Sequence, residues 1–153
     1  MPAPTRGFPD QGEVVTTSVE ETEAYAAALA DRLQPGDILL LSGDLGAGKT
    51  AFVRGLATGL GLAADTVTSP TFSLVHEHRG GRLDLFHVDL YRLRAVDPAD
   101  LGLHELGAGA GVLAVEWPER LAHDLGAAMT VRIEAAGESE RRITVSRSTD
   151  PPR

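Results

Sequence analysis

Cysteine is absent from the 153 residues, which removes disulfide frameworks, thiolate metal sites and cysteine nucleophiles from consideration. Long apolar runs are missing too. The aliphatic stretch Ile38-Leu39-Leu40-Leu41 is far too short for a membrane span, and residues 1–12 carry no apolar segment behind Arg6. No membrane association is expected, and the cytoplasm is the expected compartment. Positive charge is also scarce, with 14 Lys and Arg against 22 Asp and Glu. A net charge of −8 argues against a surface that grips nucleic acid unaided, because phosphate contacts need clustered cations. Any link to RNA is expected to run through a partner.

Lysine is the scarcest basic residue. Lys49 stands alone, inside Gly43-Asp44-Leu45-Gly46-Ala47-Gly48-Lys49-Thr50, a complete G-x-x-x-x-G-K-[S/T] phosphate-binding loop. Elsewhere arginine supplies the positive charge. A compact ammonium fits between β- and γ-phosphate oxygens within a tight backbone cradle, where a planar guanidinium is too broad. Gly43, Gly46 and Gly48 let the backbone turn its N–H groups toward phosphate oxygens, and the positive end of the following helix adds to them. The Thr50 hydroxyl is suited to ligate Mg²⁺ bridging the β- and γ-phosphates.

The flanking patterns supply the context that this motif requires. Ser18 and Glu21 form an S-x-x-E capping box ahead of an amphipathic stretch, predicting a helix over 18–34 that stops at Pro35-Gly36. The run within 37–42 reads as a strand buried on both faces, and helical spacing of Phe52, Val53, Leu56 and Leu60 follows the loop. Stretches 71–78 and 82–88 flank Arg79-Gly80-Gly81 as an antiparallel hairpin. Residues 112–115 form another buried strand leading into Glu116, 97–106 includes a short helix, and 130–135 with 142–146 form a last hairpin. The expected fold is α/β, a P-loop NTPase-like, mainly parallel sheet flanked by helices, with antiparallel hairpin additions. A single domain over 13–146 is expected between flexible tails at 1–12 and 147–153.

A second Mg²⁺ ligand is expected at the end of a neighbouring buried strand. Asp89 and Glu116 are the candidates, and Glu116 is the better by pattern because its strand is aliphatic throughout. For either, a solvated strand-end carboxylate is the plain alternative. His76 and His78 alternate along one predicted strand and read as exposed polarity, while His87 reads as a half-buried structural residue. With no second lysine, the chain cannot write the N-K-x-D segment with which guanine-specific GTPases read their base, so adenine is the expected base.

The phosphate loop, Ser69-Pro70-Thr71-Phe72, His87-Val88-Asp89-Leu90-Tyr91-Arg92-Leu93 and Val115-Glu116-Trp117-Pro118, in this order and spacing, closely resemble the TsaE family, formerly YjeE. The resemblance covers about residues 14–146. It implies a P-loop ATPase of bacterial threonylcarbamoyladenosine synthesis on tRNA, slow by itself, working with the transferase TsaD and with TsaB and touching tRNA only through that complex. By the same resemblance, Gly46, Ala47, Gly48, Lys49, Thr50 and Ala51 hold the phosphates of ATP, and Thr50 with Glu116 holds Mg²⁺. Asp89 lies near the γ-phosphate and orients water or a metal-bound ligand. Thr71 is similar to a switch threonine that senses the γ-phosphate, against the plainer reading that it starts a strand after Pro70. Ser18 is an implied nucleotide contact and Trp117 an implied contact to nucleotide or partner, with helix capping and core packing as their respective alternatives. Two other readings stand beside this one: a small-molecule kinase of the P-loop class, and a nucleotide-gated adaptor in which hydrolysis is incidental.

Overall fold

A computed structural model describes residues 11–44, 46, 48–63 and 75–148. Seven strands form one sheet: β1 (Gln11–Thr16), β2 (Ile38–Ser42), β3 (Val75–His78), β4 (Leu85–Asp89), β5 (Val112–Glu116), β6 (Ala128–Ala135) and β7 (Arg141–Ser148). Their order is β1-β7-β6-β2-β5-β4-β3. β2 runs parallel to both β5 and β6, and β4 runs parallel to β5. The pairs β1·β7, β6·β7 and β3·β4 are antiparallel. The parallel centre with hairpin additions is therefore present. β1 begins at Gln11, within the stretch expected to be a tail, and β7 runs on to Ser148.

The central strands are apolar because both of their faces are covered. On one face Leu39, Leu41, Leu85, Ala114 and Val131 meet Phe52, Val53 and Leu56. On the other, Phe86, Val88, Leu113 and Val115 meet Leu90, Leu103 and Leu125. The first face carries α1 (Val19–Ala30) and α2 (Lys49–Gly59), while α3 (Leu103–Gly107) lies against the second, just after a 3₁₀ turn over Pro98–Leu101.

α1 starts where the capping pattern places it. Ser18 is extended (φ −155°, ψ 163°), and its Oγ accepts from the Glu21 N–H at 3.1 Å. The Glu21 carboxylate accepts from the backbone N–H and hydroxyl of Thr17, at 2.6 and 2.8 Å, one residue earlier than a standard capping box. α1 ends at Ala30, short of the predicted 34, and Arg82 donates to the Ala30 and Leu33 carbonyls at 2.5 and 3.1 Å. The Ala30 carbonyl also accepts from the Leu33 N–H at 3.1 Å, so Arg82 adds a second donor at this helix end.

α1 and α2 approach backbone to backbone. A Cβ on Gly55 would lie 2.3 Å from the Glu23 carbonyl oxygen, and one on Gly59 would lie 2.4 Å from that of Ala27. Arg54 and Glu23 add an ion pair at 3.2 Å across the same contact.

Candidate functional site

Glycine is required in the loop by backbone angle, not by space. Gly46 (φ 77°) and Gly48 (φ 109°) lie in the left-handed region, yet an added Cβ would meet nothing within 4 Å at Gly46 and only the Ile133 Cγ2 at 3.8 Å at Gly48. Gly48 opens α2 without any side-chain cap. The positive end of the α2 dipole therefore faces the loop, the kind of place where anions bind.

Lys49, the first residue of α2, is only 5% exposed. Its ammonium donates to the Gly43 carbonyl and lies 3.8 Å from the centroid of the Trp117 ring, a cation–π geometry. Burial pushes the Lys49 pKa down, while Glu116, Asp89, Glu119 and Asp44 hold it up. Lys49 thus feels four carboxylates, and its ammonium rests on a carbonyl and an aromatic face.

Glu116 ends β5 and is 2% exposed. It stands in register with Leu41 at the end of β2 and with Asp89 at the end of β4. Both candidate carboxylates therefore sit at the carboxyl ends of neighbouring parallel strands, where ligands bind in open α/β sheets. They differ in environment. Glu116 contacts His87 Nε2 at 2.5 Å, whereas Asp89 is half-buried and accepts from the Tyr91 N–H at 2.9 Å. Burial raises the Asp89 pKa, as does the Glu116 carboxylate; the Tyr91 N–H opposes both.

Trp117 is the single non-glycine residue with positive φ among the described residues (φ 59°, ψ 51°). Such a conformation costs a bulky side chain on the order of 1–3 kcal/mol. It delivers the indole onto Lys49, with the Tyr91 ring tilted against it by 44° at a centroid distance of 4.9 Å and Arg120 at 5.8 Å. The residue is half-buried and also packs against the core cluster on that face of the sheet.

A cleft of about 360 Å³ lies beside the loop, lined by Ser18, Thr22, Gly46, Gly48 and Ala51 together with Glu138, Ser139 and Arg141 of the β6–β7 turn. Ser18 caps α1 and also lines this cleft. A second cleft of about 310 Å³ opens on Gly43, Asp44, Trp117 and Glu119.

Gly43, Gly46, Gly48, Lys49, Asp89, Glu116 and Trp117 therefore converge at one end of the sheet, with Thr50 and Ala51 in the first turn of α2. Ala47 and Thr71 lie outside the described residues. His76 and His78 are half-buried instead of exposed, and His87 is fully buried instead of half-buried. Sequence reasoning missed two features. His87 carried a signal, since it alternates with Asp89 on one strand face; Arg141 carried none, because only the fold brings its hairpin to the loop.

Fold and loop place the chain in the P-loop NTPase-like α/β class. Sequence and structural relatives narrow this. The family model for "Threonylcarbamoyl adenosine biosynthesis protein TsaE" matches residues 16–143, and the chain belongs to that family. Proteins named tRNA threonylcarbamoyladenosine biosynthesis protein TsaE include one from Bacillus subtilis, 45% identical over 84% of this chain and 81% of its own length. Another, from Treponema pallidum, is 40% identical over 86% of this chain and 98% of its own. The crystal structure of Bacillus subtilis YdiB superposes with a TM-score of 0.71 at 40% identity, covering 88% of this chain and 84% of that one. Among the described residues, no helix is long and apolar enough to cross a membrane.

Proposed function

We propose that the chain is a Mg²⁺-dependent ATPase serving threonylcarbamoyladenosine modification of tRNA, acting with TsaD and TsaB while TsaD transfers the carbamoyl group. The observation that carries the chemistry is the burial of Lys49 among carboxylates at an uncapped helix start. The names carried by the relatives support the pathway.

The loop N–H groups and the start of α2 bind the phosphates. Lys49 exchanges the Gly43 carbonyl and the indole face for phosphate oxygens. Thr50 and Glu116 are oxygen donors, the kind that Mg²⁺ prefers, and Glu116 is a nearly fully buried carboxylate at the carboxyl end of a parallel strand. Bound there, Mg²⁺ offsets the charge on the β- and γ-phosphates. Asp89, in register with Glu116, orients the attacking water, and Thr71 senses the γ-phosphate. Ser18 and the cleft beside it receive the nucleoside, and the absence of a second lysine favours adenine over guanine.

ATP turnover with and without the cognate TsaB and TsaD tests the assignment. Slow turnover that rises strongly in the complex is expected. Lys49→Ala should abolish hydrolysis and weaken triphosphate binding while leaving the thermal transition in place. Unchanged ATP affinity in that variant would exclude the site, and faster phosphate transfer to a metabolite than to water would favour a kinase.

A further inference from the structure

β4 and β5 are parallel neighbours, with His87 opposite Ala114 and Asp89 opposite Glu116. Side chains alternate along a strand, so His87 and Glu116 share the face that carries Leu85 and Ala114 against α2. On β5 the residue directly across from His87 is only an alanine, while His76 faces it on β3. The alanine's small side chain leaves the imidazole room to lean along the strand toward Glu116, which Nε2 reaches at the Oε2 oxygen, 2.5 Å away. His87 is 0% exposed and Glu116 2%. The other ring nitrogen, Nδ1, is buried and has no hydrogen-bond partner among the described residues. Among the described residues, the one hydrogen bond of this ring is therefore made to Glu116. An imidazole placed for general structural bonding would be expected to satisfy both nitrogens.

We propose that His87 is a positioning residue for Glu116. Nε2–H donates to Oε2 and fixes the carboxylate rotamer, so that the second oxygen is presented toward the Thr50 end of the loop as a Mg²⁺ ligand. Partners behind a metal ligand orient it, and their loss typically weakens metal affinity by about 10- to 100-fold. The inference rests on the Mg²⁺ reading of Glu116 given above.

Calorimetric titration of ADP into the protein, with and without Mg²⁺, tests it apart from turnover. In the parent, Mg²⁺ should tighten ADP binding. His87→Leu should leave metal-free ADP affinity unchanged and raise the Mg²⁺ concentration for half-maximal tightening about tenfold. His87→Gln, whose amide nitrogen reaches the Nε2 position, should restore most of the loss. His87→Asn, whose amide stops near the Nδ1 position, should not, and this polar pair decides the matter if the leucine variant does not fold. Equal Mg²⁺ dependence in parent and His87→Leu would overturn the positioning role alone, as would Gln and Asn variants that behave alike. A parent whose ADP affinity ignores Mg²⁺ would overturn the metal reading of Glu116 and this role with it.

Discussion

The parallel centre and the antiparallel flank of the sheet carry different parts of the site. Strands β2, β5 and β4 are buried on both faces and hold their chemistry at their carboxyl ends, where the loop, Glu116 and Asp89 meet. Strands β6, β7 and β1 alternate buried and exposed residues and contribute a turn that closes the cleft over Ser18 and Gly46. The centre supplies charge, and the flank supplies shape. α1 descends from the flank and α2 from the centre, and their glycine-mediated contact joins the two halves.

Breaking that joint should have the largest effect. Gly55→Val places a branched side chain where even a Cβ lies 2.3 Å from the Glu23 carbonyl oxygen. A loss of about 3 kcal/mol in urea unfolding is expected, the upper part of the overpacking range. A change below about 1 kcal/mol would show that the helices separate freely and that the halves are not welded.

A crossed pair of variants sharpens the division of labour. Glu116→Gln should remove most of the Mg²⁺-induced tightening of ADP while sparing metal-free binding. Arg141→Ala should weaken ADP about tenfold, equivalent to about 1.4 kcal/mol, with its Mg²⁺ dependence intact. If both variants shift both quantities equally, centre and flank do not act separately.

The smallest effect belongs to the flank's own helix start. The Thr17 N–H, and next its hydroxyl, hold the Glu21 carboxyl below its ordinary range. A carboxyl lowered on folding contributes stability above its unfolded pKa, near 4.3, and loses that contribution as pH falls through the lowered folded value. Glu21→Gln should therefore melt slightly earlier than the parent at neutral pH, with the gap closing below about pH 4. A gap that persists at low pH would mean the charge is not what matters.

The centre was the more legible half for a physical reason. Strands buried on both faces write themselves as unbroken aliphatic runs, so β2 and β5 were readable from Ile38 to Ser42 and from Val112 to Glu116, and the loop motif is local in sequence. In the flank the local β6–β7 hairpin was expected, but β1 is set by pairing with a segment distant in sequence. Gln11-Gly12-Glu13 has weak strand character until β7 pairs with it, and Arg141 gains a role only when the β6–β7 turn folds over the loop. His87 fell between these cases. Its neighbours Phe86 and Val88 marked a buried strand, but its bond to Glu116 depends on strand register.

The position of Trp117 has a further consequence. Because it is the sole tryptophan in the chain and contacts both Lys49 and Tyr91, all of the protein's indole emission originates at one spot beside Lys49. The molecule thus carries a native optical gauge: whatever draws Lys49 off the ring is registered by a single chromophore, with no label and no background from elsewhere in the fold.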